Sequence, residues 1–84
     1  MNIDTILASI DRKELAEVAL GLGNVGSPTG LEGEMGEALF RWLTDQGFSP
    51  RKMEAAPGRH NVVAVLKGTG GGKSLIFNAH IDTK

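Results

Sequence analysis

Leu75-Ile76-Phe77-Asn78-Ala79-His80-Ile81-Asp82 decides the reading of this chain: an almost unbroken apolar run that ends in a His-x-Asp pair. Residues 75–79 are apolar at nearly every position, which predicts a strand buried on both faces. Side chains two apart on a strand project to the same side, so His80 and Asp82 face one way, with Cα atoms about 6.6 Å apart at about 3.3 Å rise per residue. Neutral imidazole is a good ligand for Zn²⁺ and its neighbours, and an adjacent carboxylate can fix its tautomer, raise its basicity or bind the metal itself. A lone histidine at a strand end is nevertheless more often an ordinary hydrogen-bonded side chain. The pair alone does not define a metal site.

Just upstream, Gly68-Thr69-Gly70-Gly71-Gly72-Lys73-Ser74 has the ending of a phosphate-binding loop. The spacing fails by one residue. The second glycine of such a loop needs a partner five positions earlier, and counting back from Gly72 reaches Lys67. The context fails too, because the loop must open a helix whose N-H groups meet the anion, whereas Leu75-Ile76-Phe77 reads as a strand. A flexible connection between two strands is the better reading. The strand before it is Asn61 followed by Val62-Val63-Ala64-Val65-Leu66, again apolar at successive positions and therefore expected to be buried on both faces. Before that, Phe48 to Glu54 suits a short edge strand with Pro50 near its start, and Ala56-Pro57-Gly58-Arg59-His60 is a turn.

The N-terminal half has helical spacing. Ile3, Ile6, Leu7 and Ile10 form a stripe that Leu15, Val18, Ala19 and Leu22 continue after a change of phase at Asp11. Asp11 can N-cap the new segment, with Glu14 completing an acidic capping box and Ile10 and Leu15 in the staple positions, before Gly21, Gly23 and Gly26 end it. A further helix is expected from Gly30 to Gln46. Thr29 and Glu32 form a T-x-x-E capping box, Leu31, Met35, Leu39, Trp42 and Leu43 share one face, and Gly47 suits the C′ position. Such a stripe is usually core, so Phe40 and Trp42 carry no functional claim. Two helices before doubly buried strands predict an α/β layer arrangement, with Leu39, Trp42, Val63, Val65, Leu75 and Phe77 in its core.

Composition bounds the function. The 84 residues make at most one small domain, with 40% hydrophobic and 23% charged residues and a net charge of −1. Scattered cations and only four aromatics (Phe40, Trp42, Phe48, Phe77) argue against nucleic acid as a partner. Without cysteine, any metal rests on His, Asp and Glu. No signal-like start and no long apolar run point to a membrane, and a cytoplasmic protein is the default expectation.

Four segments together resemble a known family: Ser27-Pro28-Thr29-Gly30-Leu31-Glu32, Gly58-Arg59-His60-Asn61-Val62-Val63-Ala64, Lys67-Gly68 and Asn78-Ala79-His80-Ile81-Asp82-Thr83. In order and spacing they are similar to the start of the co-catalytic zinc peptidases and deacylases. That family includes acetylornithine deacetylase, succinyl-diaminopimelate desuccinylase, aminoacylase and glutamate carboxypeptidase. The resemblance implies that residues 1–84 are the incomplete N-terminal segment of a three-layer α/β/α catalytic domain of the zinc-exopeptidase type. It implies two zinc ions in the complete site, with cobalt or manganese as possible substitutes. His80 is then a ligand of one zinc, and Asp82 is the catalytic-site carboxylate that orients or polarises it. Ser27, Gly30 and Glu32 match a loop with a packing and capping role, and nothing in the match makes His60 a ligand.

Lys84 departs from the family, which usually has an apolar residue there; it is expected to face the approaching substrate or to mark an artificial end. The family's bridging aspartate, general-base glutamate, further carboxylate ligands, late histidine and dimerisation domain have no counterpart in these residues. A small peptide or N-acyl amino acid substrate and a homodimeric parent are therefore implied only for a longer protein. The family also places a later strand between the second and third strands, so these two need not form a direct hairpin, and the 84-residue chain is expected to be marginally stable. The alternative is a noncatalytic remnant or interaction module, using its glycine loop or an unpaired strand edge. The downstream reading frame separates the two.

Overall fold

The computed structural model describes residues 2–83. It contains three helices, α1 (Ile3–Ala8), α2 (Arg12–Gly23) and α3 (Gly33–Asp45), then two strands, β1 (Arg51–Ala56) and β2 (Arg59–Val63). The architecture is mixed: helices followed by a two-stranded antiparallel sheet. Lys84 lies outside the described residues.

The phase change at Asp11 is a true break. Asp11 Oδ1 accepts from the amides of Lys13 (2.9 Å) and Glu14 (3.3 Å), so the N-terminal stripe forms two helices rather than one. The C-terminus of α3 follows its sequence signals closely. Gly47 takes φ +95°, its amide donates to Thr44 O, and the Phe48 amide donates to Leu43 O, which together form a Schellman motif.

At its other end α3 departs from expectation. The helix starts at Gly33 rather than Gly30, and Glu32 in the N-cap position makes no side-chain capping bond. The reason lies in the preceding turn. Gly30 adopts φ +93° and the Leu31 amide donates to Pro28 O at 2.8 Å, so the chain reverses between Thr29 and the helix. Thr29 and Glu32 are then used elsewhere, as described below.

The hairpin is built by its turn. Pro57 restricts φ and Gly58 takes φ +73°, the pairing that a type II turn requires. A bulge between Glu54 and Ala56 reconciles that turn with the twist of the strands, in a register that opposes Arg51 to Val63 and Glu54 to His60. β1 begins immediately after Pro50, where the missing amide costs no ladder bond.

The hairpin packs on α3. On α3, Met35 is the buried hydrophobic residue (8% exposed), and Gly36 beside it in sequence is buried too. The His60 ring lies against Gly36 so closely that a Cβ there would collide with Nε2 and sit 3.0 Å from Cδ2. Lys52 pairs with Glu37 and lies 4.9 Å from the Phe40 ring centroid. That ion pair holds the Glu37 carboxyl below its usual range.

The expected third strand is not formed. Residues 64–82 have no assigned strand or helix, and Leu75, Ile76 and Phe77 are 78%, 84% and 90% exposed. A strand needs a neighbour for its backbone groups and cover for both faces, and among the described residues 75–79 has neither: it joins no edge of the two-stranded sheet and its side chains are exposed. The expected core is corrected accordingly: Leu39, Trp42 and Val63 are partly buried, whereas Val65, Leu75 and Phe77 lie at the surface. The run 62–66 is covered only at its start, since Leu66 is 82% exposed. Accessible surface measures the consequence. It totals 7406 Å², against about 4,800 Å² for a compact globular protein of 8.9 kDa.

Candidate functional site

The His-x-Asp pair is held by a clasp between two segments far apart in sequence. Residues 27–29 enter the turn before α3, and residues 81–83 end the described chain. Pro28 and Thr83 form a parallel bridge. The Thr83 amide donates to Ser27 O at 2.5 Å, with the Thr83 hydroxyl on the same oxygen at 3.2 Å. Ser27, almost fully buried, donates its hydroxyl to Ile81 O at 2.6 Å. Thr29 donates its hydroxyl to Asp82 Oδ2 at 2.7 Å.

Within the clasp, His80 Nδ1 lies 3.0 Å from Asp82 Oδ1 and 3.0 Å from the Asp82 backbone oxygen. The Thr29 hydroxyl above all, with help from the Asp82 amide and from His80, holds the Asp82 carboxyl below its usual range. The His80 side chain is 84% exposed.

A second cluster braces the turn from behind. Arg59, the first residue of β2, grips buried Glu32 through Nε at 2.9 Å and Nη2 at 3.1 Å. Glu32 Oε1 also accepts from the Gly30 amide. This two-pronged contact is the strongest side-chain interaction type available to a carboxylate, and it ties the turn before α3 to the hairpin. Arg59 first, then the Gly30 amide, lowers the Glu32 pKa, while Glu32 raises that of Arg59. Gly33 lies close to the turn, where a Cβ would meet Gly58 O at 3.2 Å.

The residues singled out in the sequence therefore fall into two groups. Ser27, His80 and Asp82 meet in the clasp, and Gly30 and Glu32 brace it. His60 is elsewhere, in the α3–β2 seam, with its Nε2 buried and without a hydrogen-bond partner. The Arg59–Glu32 and Thr29–Asp82 pairs were not read from the sequence. Their partners are 27 and 53 residues apart, and Thr29 and Glu32 already fit a local capping box.

As a donor set for a metal, the clasp supplies one imidazole with its supporting carboxylate. No group of three or more His, Asp or Glu side chains converges among the described residues. The chemistry of the pair fits one corner of a zinc site, whose other ligands would come from outside these residues.

Among known proteins, an acetylornithine deacetylase from Vibrio atlanticus (strain LGP32) is 40% identical to this chain over 47 residues. The matched stretch covers 56% of the chain but 12% of that protein's length. No family model matches the chain, and no solved structure matches it. No helix among the described residues is long and apolar enough to cross a membrane.

Proposed function

We propose that this chain is the N-terminal portion of a metal-dependent hydrolase that cleaves amide bonds, as an exopeptidase or an N-acyl amino acid deacylase. The observation that carries the reading is the 40% identity to an acetylornithine deacetylase. The clasp supports it chemically. An imidazole whose Nδ1 faces two acceptors presents Nε2 outward as a lone-pair donor, which is how a histidine backed by a carboxylate binds zinc.

His80 would be one ligand, Asp82 would orient it, and the metal, when bound, would polarise the scissile carbonyl and activate water. The general base, the remaining ligands and the dimerising domain would lie in other parts of a longer protein. With one imidazole in the clasp and no convergent ligand set among the described residues, the 84-residue chain is expected to bind zinc weakly and to hydrolyse no N-acyl amino acid or dipeptide.

A chimera tests this reading. Residues 1–84 replace the corresponding segment of the Vibrio atlanticus acetylornithine deacetylase, and zinc content and deacetylation are measured with and without His80→Ala. The expected result is a zinc-loaded, active chimera that loses both properties with His80→Ala, while Asp82→Ala costs about 10- to 100-fold. A chimera fully active after His80→Ala would overturn the metal assignment.

A further inference from the structure

We infer that Thr29 is a positioning residue whose hydroxyl, by occupying Asp82 Oδ2, sets the tautomer of His80. The inference rests on the proposed role of His80 as a metal ligand, but its test does not. Asp82 has two carboxylate oxygens, and in the clasp each has its own partner: Oδ2 accepts from Thr29 at 2.7 Å, and Oδ1 lies 3.0 Å from His80 Nδ1. A hydroxyl hydrogen rotates to suit its acceptor, so Thr29 can fix the carboxylate plane without making any demand on the imidazole.

The backbone adds a second acceptor by the same route. The Thr83 amide is bound to Ser27 O, and a trans peptide unit is planar, so the Asp82 carbonyl in that unit points the opposite way. It points to His80 Nδ1, also at 3.0 Å. Neither a carbonyl nor an ionised carboxylate carries a hydrogen to donate. Nδ1 must therefore hold the proton, and Nε2 is left bare in the neutral ring. Free imidazole side chains favour the opposite tautomer, so this preference has to be imposed. Residues 27–29 impose it twice, Ser27 through the backbone carbonyl and Thr29 through the carboxylate. Thr29 is the member that can be altered with the backbone clasp intact.

Nitrogen NMR on the 84-residue chain, at a pH well above the imidazole range, reads the tautomer directly from the two ring-nitrogen shifts of His80. In the unaltered chain the Nδ1–H form is expected to dominate. Thr29→Val keeps the branched shape but removes the hydroxyl while the Asp82 carbonyl stays at Nδ1, so the Nδ1–H fraction should fall without vanishing. Thr29→Ser should restore it. A structural role alone would not give rescue by a side chain that lacks the methyl group. An Nε2–H majority in the unaltered chain overturns the inference without any variant, which covers the case in which Thr29→Val fails to fold. An unchanged tautomer in a folded Thr29→Val chain overturns it as well. The chimera is a separate test: if His80→Ala leaves its zinc content intact, the metal reading fails while the tautomer result stands.

Discussion

Two stretches of this chain have the same kind of sequence and different fates. Residues 59–63 and 75–79 are both five residues long with two strong β-formers each, Val62 and Val63 in one and Ile76 and Phe77 in the other, and both follow a glycine-containing turn or loop. The first is strand β2, paired residue by residue with β1 and seated on α3. The second is unpaired among the described residues, with Phe77 90% exposed. Intrinsic preference is similar in the two stretches. What differs is pairing: β1 is joined to β2 by a two-residue turn, whereas 75–79 pairs with neither outer edge of the two-stranded sheet. A strand is a statement about its neighbours.

The comparison can be broken most forcefully at Met35, the buried hydrophobic side chain of α3, the helix on which β2 is seated. Met35→Ala should cost about 2–5 kcal/mol, a large share of the stability of any small domain. Loss of the β1–β2 amide dispersion and of a cooperative thermal transition would be the expected record. A variant with the transition unmoved would mean that the buried Met35 side chain does not support α3 and the hairpin seated on it.

The next effect is the pH dependence of the Glu32–Arg59 brace. The folded pKa of Glu32 is depressed, so the stabilisation is complete above the unfolded value of about 4.3 and is lost as pH falls through the lower, folded value. Following the Gly30 amide and the Arg59 Nε–H by NMR should give a midpoint below the ordinary glutamate range, absent in Glu32→Gln. A midpoint at or above that range would show that the brace is not formed in solution.

The smallest effect is expected at Phe77. Phe77→Asp, a drastic change at a buried strand position, should alter stability by no more than about 0.5 kcal/mol, because the side chain touches solvent rather than core. Chemical denaturation would measure it. A loss of several kcal/mol would show that 75–79 is packed as its sequence pattern predicts.

The sequence was most legible where structure is local. Asp11 capping α2, Gly47 ending α3, Pro57-Gly58 turning the hairpin and Pro50 at the edge of β1 are all decided by residues within about five positions. It misled where a local motif and a distant partner compete for one side chain. Thr29 and Glu32 fit a capping box, yet the hydroxyl goes to Asp82 and the carboxylate to Arg59. The apolar run 75–79 misled for the complementary reason: its pattern specifies burial but not what would do the burying. Of the site, the contact between His80 and Asp82 is local, between residues two apart. The loop that holds them is not, because its contacts span more than fifty residues.

The clasp also has an entropic side. With β2 seated on α3, bringing residues 81–83 back to Ser27 closes a loop of about 17 residues, 64–80, at about 2.5 kcal/mol before any bond is counted. The glycine-rich part of that loop adds freedom to be lost, and few of its side chains gain burial in return. Opening of the clasp is therefore expected to leave the α3–hairpin unit folded. The orientation of His80 follows this opening. Anything that shortens or stiffens 64–80 without touching the clasp would hold the imidazole in place for a larger fraction of the time.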